Sequence, residues 1–252
     1  MEDDRPADPR STQESLGGML RLQTFGGLSL SRGTENLTGA VTQRRRLALL
    51  ALLAVTADVG VSRDKLLAYL WPEADADRAR HVLNQLLYAQ RRQVGDESLF
   101  LGRKTLRLNP AGIWTDVAAF ERSLDEGALE PGVALYRGPF LDGFFLKDAP
   151  EFERWCETQR TRLARRAGGA LAELARRAAR AGDPGAAAEW WRRGLELDPY
   201  DSQRALALVE ALSAAGNRAG ALLAARRHEE LLQRDLGVTP DARVRDAMRR
   251  LC

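Results

Sequence analysis

The chain has 252 residues, of which 44% are hydrophobic and 29% charged, so it is long and apolar enough for two domains with buried cores. Two Cys and two His exclude a disulfide framework and leave little for a metal site, and this cysteine usage is typical of a reducing cytoplasm. The net charge of +3 is too small to dictate a partner by itself, and neither a membrane span nor a secretion signal is present. We therefore expect a cytoplasmic protein of two domains that does not associate with a membrane.

The first elements predicted are a leader and a strand pair. Residues 1–18 contain five acids and two Arg, with almost no apolar side chain, which predicts a disordered leader. Two short apolar runs follow, Leu20–Phe25 and Leu28–Leu30, with Gly26-Gly27 between them. Alternating apolar positions on either side of a glycine turn predict two antiparallel strands.

Three helices are predicted next. The first follows Thr42 and is basic at its start and apolar behind, so it should be buried on most sides. The second begins at Ser62, whose hydroxyl can cap the first turn, and ends before Pro72. The third extends from about Asp77 to Val94, where Gly95 ends it.

Two apolar runs around Gly102-Arg103-Lys104 predict a hairpin after the helices. The order of elements over residues 20–110 is therefore a strand pair, three helices and a terminal hairpin. From Trp114 onward the sequence predicts only helices, with glycine-containing breaks such as those at 182–185 and 216.

The second half contains an internal repeat of 34 residues. At this shift Ala181-Gly182 aligns with Ala215-Gly216, and Ala187 aligns with Ala221. The tetratricopeptide repeat, a helix–turn–helix unit, has this period. About three such units are usually needed for stability, so we expect helices between 117 and 178 to complete the stack. The alternative is that any Ala-rich helical hairpin shows such matches.

The third helix has two chemically different faces when it is projected at ~100° per residue. Its polar face carries amide, imidazole, phenol and guanidinium groups but neither Glu nor Lys: Asp77, Arg78, His81, Asn84, Gln85, Tyr88 and Arg92. Asn and Gln can pair with adenine and Arg with guanine, so this face suits the recognition of base edges. A surface helix that only faces solvent also has a polar face, and Arg78 either contacts a phosphate or pairs with Asp75.

The distribution of charge favours DNA binding by the same region. Residues 41–110 contain twelve Lys and Arg against seven Asp and Glu, a net charge of +5, whereas residues 1–18 have a net charge of −3. Arg103 and Lys104 lie at the predicted hairpin tip, where basic side chains suit a phosphate or minor-groove contact. A solvated turn is the alternative for this pair.

Several strings in this order resemble the family of Streptomyces antibiotic regulatory proteins. The first half is similar to a winged helix of response-regulator type in RRRLALLALLA, VSRDKLLAYLWP, ARHVLNQLLYAQRRQVG and LRLNP. The second half resembles the bacterial transcriptional activator domain of that family in TDVAAFE, LYRGPFLDGF, EFERW and ELLQRDLGVTPD. The resemblance covers residues ~20–252, although Ala89 and Gln90 stand where the family usually has a basic residue and a Leu.

The resemblance implies a mainly α protein, with an N-terminal winged helix-turn-helix domain at 19–110 and an all-α tetratricopeptide-like domain at 114–252. It further implies a transcription activator whose third helix enters the major groove of double-stranded DNA while the hairpin, as a wing, touches the backbone. The helical domain would mediate oligomerisation, as in a homodimer, or regulation, and RNA polymerase is a further candidate partner. No cofactor, metal or catalytic residue is expected.

Two other classes of function are alternatives to a DNA-binding regulator. An interaction scaffold would use the helical repeats to bind a protein, without reading a DNA sequence. An enzyme is disfavoured because the sequence lacks the GxxxxGK[ST], GxSxG and HExxH motifs. Cys156 follows an aromatic residue on a predicted helix, a position more typical of packing than of a nucleophile.

Overall fold

The computed structural model describes residues 18–56 and 58–251, so the predicted leader lies, but for Gly18, outside the described residues. The chain forms two compact units, which meet in sequence between Thr161 and Arg162 and are called unit 1 and unit 2 below. Among the residues described, no helix is both long and apolar enough to cross a membrane.

Unit 1 contains two small sheets. Their strands are β1 (Leu20–Gln23), β2 (Ser29–Arg32), β3 (Glu35–Asn36), β4 (Val61–Ser62), β5 (Phe100–Leu101), β6 (Thr105–Leu108) and β7 (Ile113–Thr115). The first sheet has the order β3-β2-β1-β7, in which only the β1–β7 pair is parallel. The second sheet is antiparallel with the order β4-β6-β5, and β5 and β6 form the predicted hairpin.

Helices make up most of the rest of the described chain. They are α1 (Arg44–Val55), α2 (Arg63–Leu70), α3 (Ala76–Val94), α4 (Asp116–Asp125), α5 (Leu129–Leu135), α6 (Pro150–Arg180), α7 (Pro184–Leu197), α8 (Ser202–Ala214), α9 (Arg218–Leu236) and α10 (Ala242–Leu251). The predicted order of strand pair, three helices and hairpin is confirmed.

The local signals in the sequence explain α1 to α3. All eight residues from Leu47 to Ala54 are buried, as expected for a helix that is apolar on every side after its basic first turn. The Ser62 hydroxyl accepts a hydrogen bond from the backbone N–H of Lys65, at 3.3 Å, and so caps α2. Gly95 adopts a left-handed conformation, with φ of 64°, directly after α3.

The prediction of only helices from Trp114 onward is wrong at its start. Ile113–Thr115 form β7, which pairs with β1 through Leu20 opposite Ile113 and Leu22 opposite Thr115. A strand of three residues has no measurable period, and its partner lies some 90 residues earlier in the chain. No local pattern could therefore have predicted it.

A buried carboxylate fastens the start of α4 to the end of β1. Asp116 accepts hydrogen bonds from the backbone N–H of Thr24 (2.8 Å) and Phe25 (2.9 Å), and from the Thr24 hydroxyl (2.6 Å). Burial raises the pKa of Asp116, although these donors favour its charged form. The domain boundary at 110–114 remains a prediction. Residues on its two sides are nevertheless in contact, because β7 pairs with β1 and Asp116 binds Thr24 and Phe25.

Aromatic packing extends unit 1 beyond residue 114. The Phe25 ring lies 5.2 Å from the ring of Phe120 and 4.8 Å from that of Tyr136, measured between centroids. Tyr69 of α2 likewise packs at 6.1 Å on Trp155 of α6. The strand pair and the three-helix region thus both share aromatic contacts with residues between 114 and 161, and such contacts add to stability.

Unit 2 reproduces its turns at the predicted spacing of 34 residues. Gly182 and Gly216 have φ of 79° and 76°, and each follows a helix. Asp183 and Asn217 come next, and the side chain of each caps the following helix, at 2.8 and 2.9 Å. Two consecutive helical hairpins, α6–α7 and α8–α9, therefore have equivalent turns. The expectation that helices upstream of 178 complete the stack remains a prediction.

Candidate nucleic-acid interface

Helix α3 is amphipathic in the way its sequence predicts. Its buried face is formed by Ala79, Leu83, Leu86, Leu87, Gln90 and Val94. Every predicted polar-face residue is exposed: Asp77, Arg78, His81, Asn84, Gln85, Tyr88 and Arg92. The structure thus brings these side chains together on one solvent-facing surface, which we call the α3 face. Gln90 is fully buried on the opposite side, at the position where the family usually has a Leu.

The first turn of α3 is capped by a carboxylate. Asp75 accepts hydrogen bonds from the backbone N–H of Asp77 (3.1 Å) and of Arg78 (3.4 Å). Such a cap stabilises a helix by about 1 kcal/mol. Asp75 thus contacts the main chain of Arg78, and Arg78 itself is exposed.

Two residues one helical turn apart on the α3 face are joined to each other. The Gln85 side-chain nitrogen lies 2.8 Å from His81 Nε2. In the tautomer whose Nε2 carries no proton, the ring accepts this N–H, and the contact orders the Gln85 amide. The amide oxygen of Gln85 stays available to a further donor.

The neighbouring amide is held from another helix. Arg63, the first residue of α2, donates from Nη1 to Asn84 Oδ1 at 2.7 Å. Its Nε donates to the main-chain carbonyl of Arg103 at 2.6 Å, and its backbone N–H donates to the carbonyl of Lys104 at 3.1 Å. One residue therefore connects α2, the α3 face and the turn of the hairpin.

The hairpin tip presents the two predicted basic side chains. Arg103 and Lys104 are exposed in the turn between β5 and β6. Arg91 on α3 also reaches this hairpin, since its guanidinium donates to the carbonyl of Phe100 at 3.2 Å and lies 5.7 Å from the centre of that ring. The hairpin is thus fixed beside α3 at both its tip and its base.

Sequence reasoning missed Arg63 as a member of this site. Arg63 directly follows the N-cap Ser62, and nothing in the local sequence distinguishes it from other Arg residues of the chain. Its contacts lie 21 and 40 residues further along the chain, at Asn84 and Arg103. Only the fold brings them together.

Unit 2 contains a groove between α7, α8 and α9, with a volume of about 470 Å³. Leu is the most frequent residue type in its lining, with five of the thirteen residues, among them Leu208 and the half-exposed Leu223. Arg192 and Arg227 are also in its wall. Such a groove can accept an apolar side chain or ligand.

Cys156 is not placed for nucleophilic chemistry. Its side chain is buried on α6, and burial raises the pKa of the thiol to about 12. The thiolate is therefore scarce at neutral pH, and packing accounts for the residue. No cluster of His, Cys, Asp or Glu that could hold a metal ion occurs within residues 18–56 and 58–251.

Comparisons with known proteins match both halves of the chain. A model of the bacterial transcriptional activator domain matches residues 116–252, which is more than half of the sequence. The fold is similar to that of EmbR from Mycobacterium tuberculosis, in a structure of EmbR in complex with a low affinity phosphopeptide, with a TM-score of 0.62 and 21% identity. The alignment covers 92% of this chain but only 64% of the EmbR chain. A search of curated proteins found no match.

Proposed function

The chain belongs to the family defined by the bacterial transcriptional activator domain, and on that premise we propose that it is a sequence-specific DNA-binding transcription regulator that acts as an activator. The expected resemblance to Streptomyces antibiotic regulatory proteins, and the expected fold of a winged helix followed by helical repeats, are confirmed. The recognition of DNA by particular side chains is the proposal.

The main support for the proposal is the set of polar groups on the α3 face. This face offers two amides, an imidazole, a phenol and guanidinium groups on one exposed side of a helix whose other side is buried. An α-helix fits the major groove, and these groups pair with base edges there. Arg103 and Lys104 on the wing would contact phosphates beside the groove.

Unit 2 is proposed to hold two copies of the chain together, so that a homodimer binds paired half-sites. Exposed apolar side chains near the end of α9, such as Leu236 and Val238, support this role because they suit a protein contact. RNA polymerase is a second partner that an activator would contact. Two linked copies would bind paired half-sites far more tightly than one copy binds a single site.

Selection of bound fragments from random DNA tests the proposal with the full chain. We expect an enriched sequence, and paired half-sites if the protein acts as a dimer. Affinities for the enriched and for a scrambled sequence, measured across salt, then separate base contacts from phosphate contacts. Equal affinity for both sequences at every salt concentration would contradict sequence-specific recognition.

Single substitutions assign the roles within the site. Gln85→Ala should relax preference at one base position, where a good contact discriminates by ~1–3 kcal/mol. Lys104→Ala should weaken binding to all sequences alike and lower the salt slope by about one unit. Arg226→Ala, on an exposed Arg of α9 in unit 2, is the matched control and should leave the salt slope unchanged.

The groove in unit 2 favours a second candidate function, an interaction scaffold that does not recognise DNA sequence. Under that alternative, substitutions on the α3 face would leave DNA affinity unchanged. Leu223→Asp, which places a charge in the groove wall, would instead abolish binding of the protein partner. Under the leading proposal the same substitution leaves base preference intact.

A further inference from the structure

Arg63 fixes the orientation of the Asn84 amide. A guanidinium carries only N–H donors, so the atom of Asn84 that faces it must be the oxygen, Oδ1. The amide nitrogen, Nδ2, then points away from Arg63 with its N–H groups available. Asn84 is exposed, so this nitrogen is accessible to a ligand.

This orientation restricts what Asn84 can recognise. An Asn that binds adenine through both amide atoms accepts from the N6 amino group and donates to N7. Arg63 occupies one of the two lone pairs of Oδ1 and holds that atom toward α2, so the N–H groups are what Asn84 presents most openly to a ligand. Asn84 therefore suits a base that presents an acceptor in the major groove, such as N7 or O6 of guanine or O4 of thymine.

The side-chain amide of Gln85, the next residue, makes a different contact. The nitrogen of Gln85, and not its oxygen, is engaged by His81. Its oxygen remains an acceptor, and one N–H remains after the contact with His81. Gln85 can therefore still pair with adenine through both amide atoms, whereas Asn84 would have to share Oδ1 with Arg63 to do so.

We propose that Arg63 is a positioning residue for base recognition, which presents Asn84 as a hydrogen-bond donor and couples that donor to the wing. The coupling follows from the contact of the same guanidinium with the Arg103 carbonyl at the wing tip. This inference rests on the proposed function, since it assumes that the α3 face meets DNA. It adds that specificity at one base depends on a residue outside α3.

The substitution Arg63→Lys tests the role with charge retained. A Lys ammonium is a single point donor on a flexible stem and cannot hold Asn84 Oδ1 and the Arg103 carbonyl in a fixed fork. Sequences are selected from random DNA with the full chain as wild type, as Arg63→Lys, as Asn84→Ala and as the double variant. Arg107→Lys is the matched control, because Arg107 lies exposed on strand β6 of the same wing.

We expect Arg63→Lys to reduce base preference about fivefold or more, at the same base position where Asn84→Ala reduces it. A change of about fivefold corresponds to the lower limit of the discrimination that one good base contact provides. The double variant should lose no further preference there, because both changes remove one coupled contact. The salt slope should stay the same, and Arg107→Lys should leave that position unaffected.

Three results would overturn the inference in different ways. If Arg63→Lys weakens binding to all sequences alike and preserves the preference, Arg63 acts as a phosphate or packing residue while the proposed function stands. If the wild-type chain enriches no sequence, the proposed function fails and this inference falls with it. In the free wild-type protein, an Arg63 Nε–H signal in NMR that exchanges as fast as an exposed guanidinium would disprove the hydrogen-bonded arrangement without any reference to DNA.

Discussion

The turns of unit 2 and the interface of unit 1 are built in different ways. The turns at Gly182 and Gly216 have matching backbone conformations, and each is followed by a side chain that caps the next helix. The interface instead depends on contacts between distant residues, such as Arg63 with Asn84 and Asp116 with Thr24. A repeated local rule builds one region, and a small number of single long-range contacts builds the other.

This difference has consequences for how each region responds to substitution. Equivalent positions of a repeat should respond equally, because each turn depends on its own neighbours. A single long-range contact has no second copy, so its loss should affect an entire sheet or face. Loss of a long-range contact in unit 1 should therefore cost more stability than a change at one turn of the repeat.

The largest effect on stability is expected from the position at which unit 1 is truncated. A fragment of residues 18–112 lacks β7, Asp116 and the aromatic partners of Phe25, whereas a fragment of residues 18–161 retains them. We expect the longer fragment to unfold cooperatively and the shorter one to lack a cooperative transition. Thermal unfolding followed by circular dichroism measures both.

The shorter fragment also tests the predicted domain boundary at 110–114. A cooperative transition of similar midpoint in both fragments would show that the winged helix ends there and that the contacts of Asp116 add little. Each fragment should be compared at several concentrations, so that association of exposed apolar surface is not mistaken for folding.

The next effect concerns Asp116 alone. Asp116→Ala leaves the backbone N–H groups of Thr24 and Phe25 without their acceptor in a buried site. Each unsatisfied buried donor costs ~1–3 kcal/mol, so the free energy of unfolding should fall by about 3 kcal/mol. Urea unfolding of the full chain measures it.

Asp142→Ala is the control for this substitution, because Asp142 is an exposed acid in unit 1. It should change the free energy of unfolding by less than about 0.5 kcal/mol. Equal effects of the two substitutions would mean that the Asp116 carboxylate gains nothing from its hydrogen bonds beyond the cost of its burial.

Much of the fold could be predicted from the sequence because its signals are local. The cap at Ser62, the stop at Gly95 and the glycines of the wing and of the repeat all act within one turn of the chain. The exposed side of α3 followed from helical periodicity in the same way.

The remainder could not be predicted, because it depends on partners brought together by the fold. β7 is too short to show a period, and its pairing with β1 is visible only in three dimensions. Arg63 resembles any surface Arg in sequence, yet it sets the orientation of Asn84. Recognition of adenine by Asn84 stays a prediction, and it depends on how Arg63 and a base share Oδ1, which is a property of the folded surface.

Replacing the two turn glycines of the repeat should lower the free energy of unfolding by smaller amounts, equal at the two positions. Gly182 and Gly216 have positive φ, and no atom would meet a Cβ placed on either within 4 Å. Replacement by Ala therefore costs only the backbone strain, about 1–2 kcal/mol each. The two losses should agree within about 0.5 kcal/mol and should add in the double variant, as for independent sites.

Gly169→Ala is a control for which we expect a gain in stability instead of a loss. Gly169 lies within α6 without a positive φ, and a Cβ there also meets nothing within 4 Å. Gly169→Ala should raise the free energy of unfolding by about 0.5–1 kcal/mol, since Ala favours a helix. Unequal losses at Gly182 and Gly216 would show that the two turns are not equivalent and would weaken the contrast between the units.

The smallest effect is expected from the acidic leader, whose residues 1–17 lie outside those described. Its five acids and two Arg give a net charge of −3, against +5 for residues 41–110. Deleting residues 1–17 should leave the melting temperature unchanged, because the segment carries almost no apolar side chain that could pack. It should tighten DNA binding by no more than about threefold at low salt, and this gain should vanish as the Debye length falls to ~8 Å at physiological ionic strength.

A full-length variant with its leader acids changed to amides (E2Q, D3N, D4N, D8N and E14Q) separates charge from length and should reproduce the gain. A marked fall in melting temperature on deletion would instead mean that the leader packs against the described chain and contributes to its stability.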